Sequence, residues 1–242
     1  MKYMGSKSRI AKDILPIILK NRTSDEQYYV EPFCGGCNLI DKVKGNRIAS
    51  DINYYLMCMW YALEKGWIPP KEITRDFYNE CRQKAYNKVV VDAHIIGYVG
   101  FNGSYGGRFY DGGFAGISQT NGGERNYPLE SYNNVMKQVD KIKGITFKCC
   151  SYNDLQVPYN SIIYCDIPYK NTKQYIESKD FDYEKFYSWC RNMKEIGHEI
   201  FVSEYEMPED FKCVWQKEVK SSLSANGKIG GNKTSIEKLF TL

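Results

Sequence analysis

The chain has little histidine and no long apolar run. Only His94 and His198 occur in 242 residues. Both sit in apolar surroundings that suit a structural role, so histidine-dependent hydrolysis and histidine-ligated metal chemistry have little to draw on. No uncharged stretch approaches the roughly 18–20 apolar residues needed to cross a bilayer. The first 22 residues intersperse charges with apolar positions and offer no hydrophobic leader region, which leads us to expect a soluble, intracellular protein. No G-x-G-x-x-G is present to cradle a pyrophosphate, and no lysine follows the glycines at 35–36 as a P-loop requires. Nine cysteines, an odd number, are scattered without a disulfide-like framework, in keeping with a reducing compartment. Cys34-Gly35-Gly36-Cys37 is formally a C-x-x-C, but no second pair stands at zinc-like spacing and its glycines have another use.

What is present is organised. The 33 basic and 29 acidic residues leave a net charge of +4. Basic residues gather at both ends: Lys2, Lys7, Arg9, Lys12, Lys20 and Arg22 face Asp13 alone, and six lysines between 212 and 238 face Glu218 and Glu237. Such ends suit a polyanion if they fold together, although a solvated surface is the plainer reading of charge alone. Three strand–turn–helix units are expected: Gln27–Val30 followed by a helix over Leu39–Lys44; Arg47–Ser50 followed by one over Tyr54–Lys65; and Ser161–Cys165 followed by one from Tyr183, where Phe186, Cys190, Met193 and Ile196 recur at helical spacing. Further strands are expected at 145–150, 199–203, 213–219 and 236–242. This alternation predicts an α/β fold with a mostly parallel sheet. Residues 66–134 break the rhythm. A helix over Lys71–Tyr86 gives way to "GFNGSYGGRFYDGGFAGISQTNGG", and ten of the twenty glycines fall between Gly97 and Gly123. Glycine at that density predicts an ordered loop without regular elements, presented by an inserted subdomain.

Four acids fall at or just beyond strand ends: Glu31, Asp51, Asp154 and Asp166. Ligands of open α/β sheets bind outside the carboxyl ends of the strands. The glycine turn after Glu31-Pro32-Phe33 lets backbone approach a ligand, and Asp51, about twenty residues on, stands where an acid can bind ribose hydroxyls. A nucleoside without phosphates, carrying an amino-acid carboxylate, fits this pattern; S-adenosylmethionine is such a molecule, and a generic α/β domain remains the alternative. Asp166-Ile167-Pro168-Tyr169 then has a chemical reading. The Asp166 carboxylate and the Ile167 carbonyl together accept both hydrogens of an exocyclic amine and expose its lone pair. Pro168 stiffens the turn, and Tyr169 offers a ring for stacking.

In their order these residues resemble the Dam-type DNA adenine-N6 methyltransferases. "KYMGSK" resembles the N-terminal K-W-x-G-x-K element of that family, "EPFCGG" its F-x-G-x-G cofactor motif, and "SDIN" the acid after its second strand. "CSYNDL" is similar to the element before the catalytic strand, "YCDIPY" to Y-C-D-P-P-Y, "FNGSYGGRF" to part of the target-recognition domain, and "KSSLSANGK" to a DNA-contacting loop. The resemblance implies a Rossmann-like S-adenosylmethionine-dependent methyltransferase sheet, with residues 1–65 and 135–242 catalytic and a mainly helical target-recognition subdomain over 66–134. It implies that Tyr3, Lys7, Glu31, Phe33, Gly35, Asp51, Asp154 and Asp166 surround the cofactor, and that Asp166, Ile167, Pro168 and Tyr169 hold the adenine. It implies that Phe101, Asn102, Arg108, Lys220, Ser222, Asn226 and Lys228 meet duplex DNA, Phe101 by entering the stack when the base leaves it. The implied protein is a cytoplasmic bacterial or phage enzyme, a monomer or weak dimer on DNA, independent of metal and membrane. Tyr3 in place of tryptophan, Cys37 in place of a small residue, and Ile167 in place of the first proline depart from the pattern. C5-cytosine chemistry is excluded by the lack of a Pro-Cys pair, whereas N4-cytosine or RNA-adenine methylation, or a catalytically silent DNA-binding relative, stay open.

Overall fold

In the computed structural model, residues 1–170, 181–220 and 234–242 are described, Lys220 by its backbone only. Along the chain run α1 (Ala11–Ile18), β1 (Tyr29–Glu31), β2 (Arg47–Asp51), α2 (Tyr54–Glu64), α3 (Arg75–Tyr86), α4 (Ala93–Asn102), β3 (Ile117–Thr120), β4 (Gly123–Asn126), α5 (Tyr127–Ile142), β5 (Ile145–Cys149), β6 (Ile162–Asp166), α6 (Tyr183–Glu195), β7 (Glu199–Ser203), β8 (Lys212–Lys220) and β9 (Thr234–Thr241). The α/β class is as the sequence suggests. The chain folds as two compact units: Met1–Ala11 with Pro32–Gln156, and Lys12–Glu31 with Val157–Leu242.

In the first unit β2 and β5 pair in parallel from Arg47 opposite Ile145 to Asp51 opposite Cys149. Asn53 caps α2 by accepting the Leu56 N–H at 3.0 Å, and Thr74 caps α3 by accepting the Phe77 N–H at 3.2 Å. Leu56, Met59, Trp60 and Leu63 of α2 are fully buried. Each such side chain contributes about 1.5–3 kcal/mol of transfer free energy. Against α2 lies α4, buried almost throughout. A β-carbon on Gly97 would fall 2.1 Å from the Tyr55 carbonyl oxygen, so glycine here serves close helix approach. That is why a glycine-rich stretch begins as a helix, against the expectation of a loop. The same stretch also holds an antiparallel hairpin, β3 with β4, from Ile117 opposite Asn126 to Thr120 opposite Gly123. A second expectation fails at Leu39–Lys44, where only a 3-10 turn over Ile40–Lys42 forms and Val43 is already extended. Asn126 caps α5 through the Leu129 N–H at 3.0 Å, and this helix runs through position 134.

In the second unit β1, β6 and β7 are parallel neighbours: Tyr29 lies opposite Ile162, and Asp166 opposite Ser203. β9 runs antiparallel to β7, with Leu239 opposite Ser203, and β8 runs antiparallel to β9. α1 buries Ile14 and Ile18, and α6, capped by Asp182 through the Lys185 N–H at 3.0 Å, buries Phe186 and Cys190. His198 is buried, its Nδ1 accepting the Ser161 N–H at 3.1 Å, a structural role as expected. Burial lowers its pKa, the Ser161 contact opposing the shift.

Candidate active site

In the first unit the residues after β1 form a tight turn held from several sides. The Cys34 N–H donates to the Ser50 carbonyl at 2.9 Å, and the Cys37 N–H to the Cys34 carbonyl at 2.7 Å. Asp51, the last residue of β2, accepts the Gly35 N–H at 3.2 Å and the Asn53 N–H at 3.0 Å. Gly35 has φ +45°, and a β-carbon there would lie 2.6 Å from the Tyr3 ring, so the residue is fixed as glycine by both conformation and space. Cys37, in place of the usual small residue, also has positive φ, +52°. Two contacts that sequence reasoning missed complete the frame. Trp60 Nε1–H donates to the Gly35 carbonyl at 2.9 Å, and Gln138 Nε2–H₂ donates to the Gly36 and Cys37 carbonyls at 3.0 and 2.9 Å. Tyr3 stacks on Phe101 at 5.6 Å, Phe33 packs on Tyr152 at 5.4 Å, and Lys7 is buried, its Nζ donating to the Gly5 carbonyl at 3.0 Å. Tyr3, Lys7, Phe33, Gly35 and Asp51 thus belong to one unit, as does Asp154, an exposed side chain accepting from Asn153 Nδ2 at 3.3 Å. A carboxylate at a strand end beside a glycine turn is the acceptor that ribose hydroxyls call for, and this chemistry fits a nucleoside cofactor.

In the second unit, adjacent parallel strands carry acids at their carboxyl ends: Glu31 closes β1, Asp166 closes β6, and Glu204 follows β7. Glu31 is buried and accepts the Tyr29 hydroxyl at 2.9 Å; burial and this carboxylate push the Tyr29 pKa well up. Asp166 is half-buried, and Ile167 is buried. The turn beyond them is clamped at three consecutive residues. The Pro168 carbonyl accepts the Tyr183 hydroxyl at 2.9 Å, the Tyr169 hydroxyl donates to Glu237 Oε2 at 2.8 Å, and the Lys170 N–H donates to Glu204 Oε2 at 2.9 Å. The Tyr205 ring stands at 81° to the Tyr169 ring, centroids 4.7 Å apart. Desolvation, with Asp166 and Glu237 nearby, holds the Tyr169 pKa well above its ordinary value. Glu204 carried the same signal as Asp166, an acid directly after a buried strand, and was legible on those grounds. Glu237 and Tyr183 carried none, because only the fold brings β9 and the start of α6 to this turn.

Of the residues expected at DNA, Phe101 and Asn102 lie in the interior at 2% exposure each, on α4, and would have to leave it to meet a duplex. Asn102 Nδ2 donates to the Tyr98 carbonyl at 3.1 Å. Arg108 is half-buried, its Nη2 donating to the Asp111 carbonyl at 3.0 Å. Ser222, Asn226, Lys228 and the Lys220 side chain lie outside the described residues. The β3–β4 hairpin, by contrast, exposes Ile117, Gln119, Glu124 and Arg125. Among the described residues, no group of three or more His, Cys, Asp or Glu side chains is placed to hold a metal, and no helix is long and apolar enough to cross a membrane.

Comparison with known proteins follows this geometry. Residues 3–220 match the family model of the D12 class N6 adenine-specific DNA methyltransferase. No curated protein matches the chain. Among the solved structures it resembles is the crystal structure of SMU.472, described as a methyltransferase and complexed with SAH, at 12% identity and a TM-score of 0.41. All of this chain is covered in that likeness, and it spans 54% of the solved chain.

Proposed function

The chain belongs to the D12 class of N6 adenine-specific DNA methyltransferases, and from that premise we propose that it methylates N6 of adenine in double-stranded DNA, using S-adenosylmethionine, after extruding the base. The observation that carries this reading is the clamped Asp166-Ile167-Pro168-Tyr169 turn at the carboxyl end of β6. In this reading the amino group of the extruded adenine donates one N–H to the Asp166 carboxylate and the other to the Ile167 carbonyl. That pairing draws the nitrogen toward sp³ and directs its lone pair outward. The base stacks on Tyr169, which recovers part of the few kcal/mol that extrusion costs. Tyr3, Lys7, Phe33, Gly35, Asp51 and Asp154 hold the cofactor, Asp51 through the ribose hydroxyls; Glu31 and Asp166 complete the set. The cofactor supplies an activated methyl group on a sulfonium centre, so no strongly basic side chain is needed before transfer. The subdomain over 66–134 reads the duplex. Within it the exposed hairpin and Arg108 offer the contacts, with the basic residues Lys220 and Lys228, and Ser222 and Asn226, holding phosphates.

The test is transfer of labelled methyl from S-adenosylmethionine to duplex DNA, with nucleoside mass spectrometry of the product. N6-methyladenine is expected, and Asp166→Ala is expected to abolish it while leaving the unfolding temperature close to wild type. N4-methylcytosine, or no label on DNA, would refute the assignment.

A further inference from the structure

Glu237 lies far from the motif in sequence, at the start of "EKLFTL", which resembles the family's closing strand, and the resemblance assigns it no role. The register of the second unit explains its reach. Asp166 of β6 lies opposite Ser203 of β7, and Ser203 lies opposite Leu239 of β9. Because β9 is antiparallel, Glu237 comes two residues before Leu239 and overhangs the carboxyl ends of β6 and β7. Its side chain shares the face of Leu239 and is half-buried there. Its Oε2 accepts the Tyr169 hydroxyl at 2.8 Å, while Tyr205 stands at 81° to the same ring. The cross-strand neighbour of Glu237 is Lys217, whose Nζ is drawn to Asp13 Oδ2 at 2.8 Å. A tyrosine ring attached by a single Cα–Cβ–Cγ arm turns about two torsions. One hydroxyl contact and one edge contact fix both.

We propose that Glu237 is the positioning residue that sets the plane of Tyr169, and that this fixed plane is what receives the extruded adenine. The inference rests on the reading of Asp166–Tyr169 as the adenine-holding turn. The hydroxyl is committed to Glu237, so Tyr169 contributes its ring face and the contact to the base is stacking. In this proposal the carboxylate acts through Tyr169, whose hydroxyl it accepts.

The experiment uses the full chain, an adenine-containing duplex with its methylation site for kinetics, the same duplex with 2-aminopurine at the target for the extrusion signal, and the variants Glu237→Leu, Glu237→Gln and Tyr169→Phe. A charge-assisted hydrogen bond lost from a half-buried site is expected to lower kcat/KM for DNA about tenfold in Glu237→Leu. Its 2-aminopurine signal of base extrusion is expected to fall in parallel, with affinity for S-adenosylmethionine unchanged. Glu237→Gln keeps an acceptor and is expected to recover activity to within about threefold of wild type. In a Tyr169→Phe background, Glu237→Leu is expected to add less than about twofold, since the hydroxyl it serves is gone. Multiplying effects in the double variant, or cofactor affinity lost in step with activity, would overturn the proposal. A second readout stands apart from activity and from the folding of the leucine variant. With ¹³Cζ-labelled tyrosine, the Tyr169 resonance, assigned by its absence in Tyr169→Phe, is expected to titrate above the ordinary tyrosine range and to shift in Glu237→Gln. Ordinary tyrosine titration would overturn the proposal. If wild-type chain methylates adenine while Glu237→Leu matches it, the positioning role alone falls. If wild-type chain transfers no methyl group, the functional reading falls and the positioning role falls with it.

Discussion

Gln138 is the most exacting test of how the glycine turn is held. It is 3% exposed, and its Nε2 donates to the Gly36 and Cys37 carbonyls at 3.0 and 2.9 Å. Gln138→Met removes both donors, and with them the Oε1 acceptor of the buried Met1 ammonium, while keeping length and nearly keeping volume, so no cavity term intrudes. The Cys37 carbonyl also accepts the Asp41 N–H, at 3.4 Å, and therefore keeps one partner. The larger loss falls on the Gly36 carbonyl. A buried acceptor left without its donor costs about 1–3 kcal/mol and a partly replaced bond about 1 kcal/mol, which gives roughly 2–4 kcal/mol for the two carbonyls, before the lost acceptor of the Met1 ammonium is added. At about 3 °C per kcal/mol for a chain of this size, the unfolding midpoint should fall by roughly 6–12 °C. Calorimetric scans measure this directly. Titration calorimetry with S-adenosylmethionine measures the second consequence, weaker cofactor binding, because the turn carrying Gly35 loses its support from α5. Gln138→Glu is the control: one carboxylate oxygen keeps the acceptor of the Met1 ammonium while the other faces the Gly36 and Cys37 carbonyl oxygens, so the variant should still be destabilised relative to wild type. A midpoint within about 2 °C of wild type, with unchanged cofactor binding, would refute the reasoning.

Two further outcomes are expected. His198 has its pKa lowered by burial, so the unfolded chain, titrating near pH ~6.5, takes up the proton before the folded one does. Its stabilising contribution is thus complete above pH ~6.5 and is lost as pH falls below it. His198→Asn keeps an acceptor for the Ser161 N–H and should flatten the fall in midpoint between pH 7 and 5; an unaltered slope would show that other groups dominate. Gly97→Ala would bring a β-carbon within 2.1 Å of the Tyr55 carbonyl oxygen and 3.3 Å of Met59 Cβ. It should destabilise the first unit by about 1–3 kcal/mol in urea unfolding, and an unchanged midpoint would mean that α4 can retreat from α2 without penalty.

The elements that were legible in the sequence share a cause. Short apolar runs that end in an acid, such as those closing at Asp51 and Asp166, announce both a buried strand and a polar edge, and Asn53 precedes the helix expected after it; α3, expected from Lys71, begins only at Arg75, after its cap Thr74. α6 was readable from its spacing and begins at Tyr183 as expected. α1 was not, because Pro16 within it cannot donate to the carbonyl four residues back, although Ile14 and Ile18 bury the face that holds it. α4 was hidden by its glycines, which signal a loop until one knows that α2 lies against them. The placement of Phe101 and Asn102 was illegible for the same reason: an aromatic and an amide beside glycine read as a presented loop, whereas the helix turns both inward. The contacts of Trp60, Gln138 and Glu237 join positions remote in sequence, and no local pattern encodes them.

The division of the chain has a kinetic consequence. Each unit is assembled from two separate stretches, so the polypeptide enters the second, leaves it at Pro32, and returns only at Val157. β1 cannot find β6 until Tyr29 meets Ile162, and all of the other unit except Met1–Ala11 lies between them in the chain. Closing so long a loop is entropically slow, and β1 must wait with its edges bare while everything between is organised. Refolding should therefore be paced by this one late encounter. Cleaving the backbone anywhere between Pro32 and Gln156 would turn it into a meeting of two fragments, with a rate that depends on their concentration.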